Sequence, residues 1–418
     1  MGPTALFDKS FLQCLNLNEA VWFDHFFLSN VCPLLFAETL ADLAKPERDG
    51  RTGEDEVRFI ADKSPQMHGA PCAHHHLMAF NNLFGRQVAL RKGQIPITGG
   101  RRVRVEGKLG TVFEQSPEAK AFARWQQGEF KELEHEFAKQ WREQLATLDL
   151  REATAILRAA GVTEIKSKTL EQARAMAAAA VRGTDRLADR LRLVLTLLGV
   201  RQGLFGPIQQ YWSGVGRPPM HLYAPYAAYV VEVEVFFNIC LASGLISTER
   251  PSNKLDIAYL FYLPFCMIFT SSDKLHRSCA PLFLGREQDF IWGPDLKGEL
   301  RKIDEHFSAL PEETKVLGIM AFAHTPPEFE GSKLIPLWNK HLPRWRELWS
   351  DQGVKPSTEN APLANELRRF ERAPSLPRGD PGYDEPDSDA LSIQRFITKR
   401  RGSWYQLPRD LKVEEKAG

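Results

Sequence analysis

The first apolar run, residues 4–7, is short and unbroken and stops at a carboxylate, Asp8. A run of that length bounded by polar residues fits a strand buried on both faces. Residues 9–28 then follow helical spacing, and residues 30–33 read as a second short strand. Pro33 suits the first turn of a helix over residues 34–44, because its missing N–H is not needed there. That helix carries Glu38 and Asp42 four residues apart, on one face. The strand-then-acid pattern returns far along the chain, where Cys266-Met267-Ile268-Phe269-Thr270 leads through Ser271 and Ser272 into Asp273. Residues 289–292 predict a further strand.

The stretch between these segments has a different character. It is polar from about residue 46, holds the cluster His74-His75-His76, and becomes glycine-rich around a strand-like piece at residues 102–106. Ser116-Pro117-Glu118 supplies an N-cap, a first-turn proline and a first-turn acid. One long amphipathic helix is expected from there, with Phe122, Trp125, Leu133, Phe137, Trp141, Leu145 and Leu148 on its apolar side. Further helices are predicted over 170–181, 184–198, 223–243 (stopped by Gly244), 296–306 and 336–351. Residues 373–389 are rich in Pro, Gly and Asp and read as an unfolded linker ahead of a terminal segment at 391–411. The division expected is a sheet domain from residues 1–48 and 221–310, a mainly helical insertion over 49–220, and a C-terminal extension over 311–418. The fold class is α/β, with a small parallel central sheet flanked by helices.

At 418 residues the chain exceeds one compact core. A hydrophobic share of 43% and a charged share of 26% describe a globular protein rather than a disordered one. A formal net charge of +1 excludes coating nucleic acid through an overall field, so any such contact is a local patch. The six cysteines are scattered without a C-x-x-C pair, which argues against a zinc knuckle or a disulfide framework and for a reducing cytoplasm. The first ten residues hold Asp8 and no signal-like run. The best membrane candidate, residues 226–246, has Glu232 and Glu234 near its middle, so a buried helix and no membrane partner are expected.

Asp8, Glu38, Asp256 and Asp273 form the candidate site. Phosphodiester hydrolysis calls for a hard divalent ion and for carboxylates converging from several elements, and ligand sites of open parallel sheets gather at the carboxyl ends of the strands. Phe7-Asp8-Lys9-Ser10, then Val31-Cys32-Pro33 leading to Glu38, then Asp256 before an apolar helix and Asp273 after the next strand, resemble the PIN-like nuclease superfamily in order and context. The resemblance covers residues 4–44 and 245–295 and describes a large, bacterial-type member interrupted by a helical insertion. It implies a metal-dependent nuclease acting on RNA or DNA, with Asp8, Glu38, Asp256 and Asp273 as ligands of Mg²⁺ or Mn²⁺. Ser10, Lys9, Ser272 and Lys274 adjoin them as candidate substrate contacts.

Three of the four acids also have a plain structural role open to them: Asp8 as a helix cap, Asp273 as the start of a turn after its strand, and Asp256 as a first-turn acid of a helix capped by Asn253. Glu38 stands in an apolar helix and needs a partner or an ion; Asp42 is expected to be solvated. The alternative function is a PIN-like nucleic-acid-binding or scaffold protein without cleavage, working with a protein regulator or as a homo-oligomer. A third is a metal hydrolase built on His74-His75-His76, weakened because consecutive residues do not share a face. Arg182, Arg186 and Arg190 form either a phosphate-touching stripe or, with Asp185 and Asp189, a salt-bridged face. Lys399-Arg400-Arg401 with Trp404-Tyr405 reads equally as a single-strand grip or a packed terminal segment.

Overall fold

The computed structural model describes residues 2–147, 166–349, 361–383, 385 and 388–411. Its strands are β1 (Thr4–Phe7), β2 (Leu28–Val31), β3 (Gly69–Pro71), β4 (Arg101–Val105), β5 (Lys108–Phe113), β6 (Ile268–Ser271), β7 (Asp289–Trp292), β8 (Ala390–Ile393), β9 (Arg400–Arg401) and β10 (Trp404–Tyr405). The first three join β6 and β7 in one all-parallel sheet of order β3-β2-β1-β6-β7. From β1 the chain winds outward to β3, then returns to the other side of β1 as β6 and winds the opposite way. The switch point is therefore the β1–β6 boundary, where carboxyl-end clefts form in such sheets.

Strands β1 and β6 are buried throughout, which is why both are unbroken apolar runs rather than alternating ones. Adjacent residues still face opposite sides. Leu6 and Phe269 join one core, and Ala5, Phe7 and Ile268 join the other. The helix Pro225–Ala242 lies within the first core. Among the described residues it is the one helix long and apolar enough to cross a membrane, and 83% of it is buried inside the protein. Its Glu232 is paired with Arg174 and Arg182, and its Glu234 with Lys254, so the charges near its middle are neutralised within the core. Arg190 and Arg186 pair with Asp185 and Asp189, giving that arginine stripe the salt-bridged form.

Several boundaries differ from the sequence reading. Strand β2 begins at Leu28, two residues early. The central sheet takes its edge strand β3 from residues 69–71, and the helix Gly53–Ala61 adds Val57, Ile60 and Ala61 to the core beneath β1. The sheet domain thus runs past residue 48. The long helix from residue 116 is two helices, Pro117–Gln126 and Glu132–Ala146, broken at Gly128 with φ +76°. Leu133 is 73% exposed, and Leu148 lies outside the described residues. The helix expected over 336–351 divides into Leu334–His341 and Trp345–Trp349, around Pro343.

The C-terminal extension is stitched into the body. Strand β8 lies parallel to β5, completing a three-stranded sheet with β4, and the stretch read as an unfolded linker bonds to it, with Leu376 N donating to Arg102 O at 2.8 Å. Arg401 is buried: its Nη1 donates to Asp24 Oδ2 at 3.2 Å and its Nη2 to Asp62 O at 2.7 Å. Trp404 Nε1 donates to Asp304 Oδ1 at 2.6 Å, sharing that acceptor with Trp22 Nε1. Of the two readings of this segment, packing describes Arg401 and Trp404; Arg400 stays outside, over the Tyr405 ring.

Asp24 also accepts from the backbone N–H groups of Gln66, Met67 and His68. Replacing Arg401 by Met strips a fully buried carboxylate of the one cation that pairs with it among the described residues, so the expected loss of stability is about 3–5 kcal/mol. Urea unfolding measures it; a loss below about 1 kcal/mol would mean that the three backbone donors alone satisfy Asp24.

Candidate functional site

Strand β1 delivers Asp8 to the switch point and ends there because Asp8 caps the helix Lys9–Cys14, accepting from Phe11 N at 3.0 Å through Oδ1. The other oxygen, Oδ2, accepts from Ser10 Oγ at 2.6 Å, Ser271 Oγ at 2.8 Å and His276 Nδ1 at 3.2 Å. His276 is fully buried on the helix Lys274–Cys279, and its Nε2 meets the Asp256 carbonyl oxygen at 2.5 Å. The Asp256 carbonyl only accepts, so Nε2 donates to it, while Nδ1 stands 2.9 Å from Ser271 Oγ and 3.2 Å from the Asp8 carboxylate, an arrangement that favours a proton on each nitrogen and so a charged ring. Burial opposes that charge, but Asp8, the Asp256 carboxylate and the Asp256 carbonyl outweigh it and raise His276 to about 9. Burial likewise opposes charge on Asp8, while His276, Ser10 and Phe11 N more than offset it and hold Asp8 below its ordinary range.

The other acids are less well satisfied. Asp273 follows β6 and caps the helix Lys274–Cys279 through Leu275 N at 2.6 Å, while its own N–H donates to Ser271 Oγ at 2.9 Å. Ser271 therefore bridges Asp8 and Asp273. Glu38, on the helix Pro33–Ala41, accepts from Tyr259 OH at 2.5 Å. Burial, with the Asp8 charge adding to it, still holds Glu38 above the usual carboxylate range. Asp256, in the first turn of the helix Asn253–Ala258, has a carboxylate without a hydrogen bond among the described residues. Burial first, then Glu38, Asp273 and Asp8, push it to about 7 against the pull of His276. The four acids thus share one electrostatic neighbourhood at the carboxyl ends of β1 and β6.

The cap expected of Asp8 exists, and Asp273, expected to begin a turn, caps a helix instead; Asp256 stands in the first turn as expected, although the cap position of its helix is Ser252 rather than Asn253. Asp42, expected in solvent, is buried and paired with Lys9 at 3.1 Å and Lys45 at 3.0 Å. The candidate substrate contacts divide. Lys9 Nζ is committed to Asp42 and to Glu38 O, and Ser10 Oγ to Asp8 and Ser272 N. A Cβ at Gly293 would stand 2.2 Å from Ser272 Oγ, so that hydroxyl lies under the backbone rather than in a cleft. Lys274 alone is exposed. The His74, His75 and His76 rings stack, with His75 Nδ1 3.1 Å from Tyr262 OH. His276, Ser271 and Tyr259 are the site residues that sequence reasoning missed.

Two pH-dependent terms follow. Both groups are raised above their ordinary values, 6.5 for His276 and 3.8 for Asp256, so each contributes stability that is complete below that value. The Asp256 term is lost as pH rises through about 7 and the His276 term through about 9. Urea midpoints should therefore fall in two overlapping steps between roughly pH 4 and 9, the lower step flattened in Asp256→Asn and the upper in His276→Gln. Wild-type slopes retained in both variants would show that neither group carries the effect.

Compared with known proteins, the chain matches no family model, no curated protein and no solved structure.

Proposed function

We propose that the cleft at the β1–β6 switch point is a nuclease-type site that hydrolyses phosphodiester bonds of RNA or DNA with Mg²⁺ or Mn²⁺, as the resemblance to PIN-like nucleases implies. The observation that carries this is Asp256: an acid without a side-chain hydrogen bond among the described residues, pushed to about 7 by burial and by Glu38 and Asp273, where a parallel sheet reverses its winding. Among the described residues no three His, Cys, Asp or Glu side chains already stand as a ligand set. The donor chemistry nevertheless fits a hard cation, because Glu38 and Asp256 are raised by burial and like charge, a condition that a cation relieves.

When bound by Asp8, Glu38, Asp256 and Asp273, the ion supplies positive charge against the phosphate and lowers the pKa of the attacking water. The chain supplies the frame. Lys9 Nζ, donating to Glu38 O and Asp42, braces the helix that carries Glu38. His276 fixes the Asp8 carboxylate with one nitrogen and the Asp256 backbone with the other. Asp256 holds a proton below about pH 7 and releases it above, which makes it the acid whose state decides cation affinity.

One observation favours a second reading, a PIN-like nucleic-acid-binding or scaffold protein. Asp8 Oδ2 already accepts from three side chains, one of them a cation, and an ion must compete with them.

Incubating the full chain with Mn²⁺ or Mg²⁺ and labelled RNA and DNA separates the two. Cleavage is expected, falling on the order of 100-fold or more in Asp256→Asn and Asp273→Asn if the ion contributes several kcal/mol. Asp256→Asn should unfold no more easily than wild type, since it removes a repelled charge. The general expectation that losing an acid relieves repulsion fails for Asp8, whose replacement by Asn strips His276 of its counter-ion and is expected to lower stability. Mn²⁺ should raise the unfolding temperature more at pH 8 than at pH 6. Absence of both cleavage and this shift would overturn the nuclease reading in favour of the second.

A further inference from the structure

A cavity of about 570 Å³ opens at the β3 edge of the sheet, where the helix Pro117–Gln126 and the segment after β8 close over it. None of the four acids lines it. Its size falls within the range of small-molecule sites, roughly 300–1,000 Å³. The walls include Phe36, Phe113, Phe122 and Phe396, with Leu77 beside them. Leu77 and Phe396 are 45% and 44% exposed, so the cavity has apolar side chains at its mouth as well as in its walls.

The cavity also has polar walls, among them Gln66, Gln126, Gln394 and Arg395. Arg395 is partly buried and its Nε donates to Gly69 O at 3.1 Å, which fixes the guanidinium at the wall. Its Nη groups make no hydrogen bond or ion pair among the described residues. Of the acids at the cavity, Glu114 lies 3.9 Å from Arg101 and Glu118 stands in the first turn of the helix Pro117–Gln126. His74 and Lys120 complete the ionisable lining. Burial pulls the Arg395 pKa down, against the pull of the Asp24 carboxylate. A planar guanidinium with open donors is matched by a bidentate oxyanion, and phenylalanine faces are matched by a flat ring.

We propose that this cavity binds a small flat organic anion, its ring system against the phenylalanines and its carboxylate, sulfonate or phosphate on the Nη groups of Arg395. The site is separate from the acid cluster and rests on none of its chemistry.

The probe pair is anilinonaphthalene sulfonate and its uncharged relative N-phenylnaphthylamine, titrated by fluorescence against the full chain. One sulfonate per chain is expected. Arg395→Gln should weaken the sulfonate about tenfold, the worth of a charged hydrogen-bond pair, and leave the uncharged dye unchanged. Ala123→Trp fills the space and should remove binding of both. Arg395→Lys keeps the charge without the fork and should fall between wild type and Arg395→Gln, which tests the anion contact even where the filled variant unfolds. Sulfonate binding that survives in folded Ala123→Trp, or an equal loss of both dyes in Arg395→Gln, would overturn the proposal.

Discussion

A single buried carboxylate fixes the geometry of this protein. Asp8 ends the central strand, starts a helix, and bonds across sequence separations of 263 and 268 residues to Ser271 and His276. Strand pairing alone specifies the β1–β6 contact only through short buried runs, and such runs slip in register at little cost when both faces are apolar. A charge that must find a cation and three further donors has one acceptable position. The Asp8–His276 pair thus ties the end of β1 to the helix that follows β6, joining two segments that the chain brings together after a long excursion.

Much of this was legible because the relevant signals are local. Unbroken apolar runs ending in acids gave β1 and β6, and the first-turn proline gave the helix of Glu38. The failures are non-local. Strand β3 is the three residues Gly69–Pro71, two of them poor strand formers, and it exists because β2 offers it a ladder. The stretch over 373–389 has the composition of a disordered segment, yet Leu376 and Asp389 within it donate backbone hydrogen bonds to β4 and β5. Tertiary pairing overrode composition in both places.

At the site, the acids could be seen and their partners could not. Asp8, Glu38, Asp256 and Asp273 stand out as charges among apolar residues, which a sequence displays directly. His276 reads as one histidine of eleven on a short, polar-looking helix. The available signal was its spacing: three residues beyond Asp273 and therefore on the same side of the helix that Asp273 caps. Asp42 was misread for the opposite reason. It follows Glu38 by one turn on an apparently outward face, and only the folded chain places Lys9 and Lys45 over it.

These pairings divide the cleft into two halves of different energetic character. Asp8 with His276 is a closed pair, and Asp42 holds both Lys9 and Lys45, an excess of positive charge. Glu38, Asp256 and Asp273 make no ion pair among the described residues: Glu38 leans on the field of Lys9 and on a neutral tyrosine, Asp273 on the backbone N–H of Leu275, and Asp256 on the field of His276 against that of its acidic neighbours. A protein selected for stability alone would neutralise or remove such acids, since like charges in a partly buried cleft oppose each other's ionisation. The matched half holds the backbone still, and the mismatched half can then remain strained without distorting it. That arrangement gathers the carboxylates raised by burial and like charge, Glu38 and Asp256, at the β1–β6 cleft, away from the ion-paired arginine stripe.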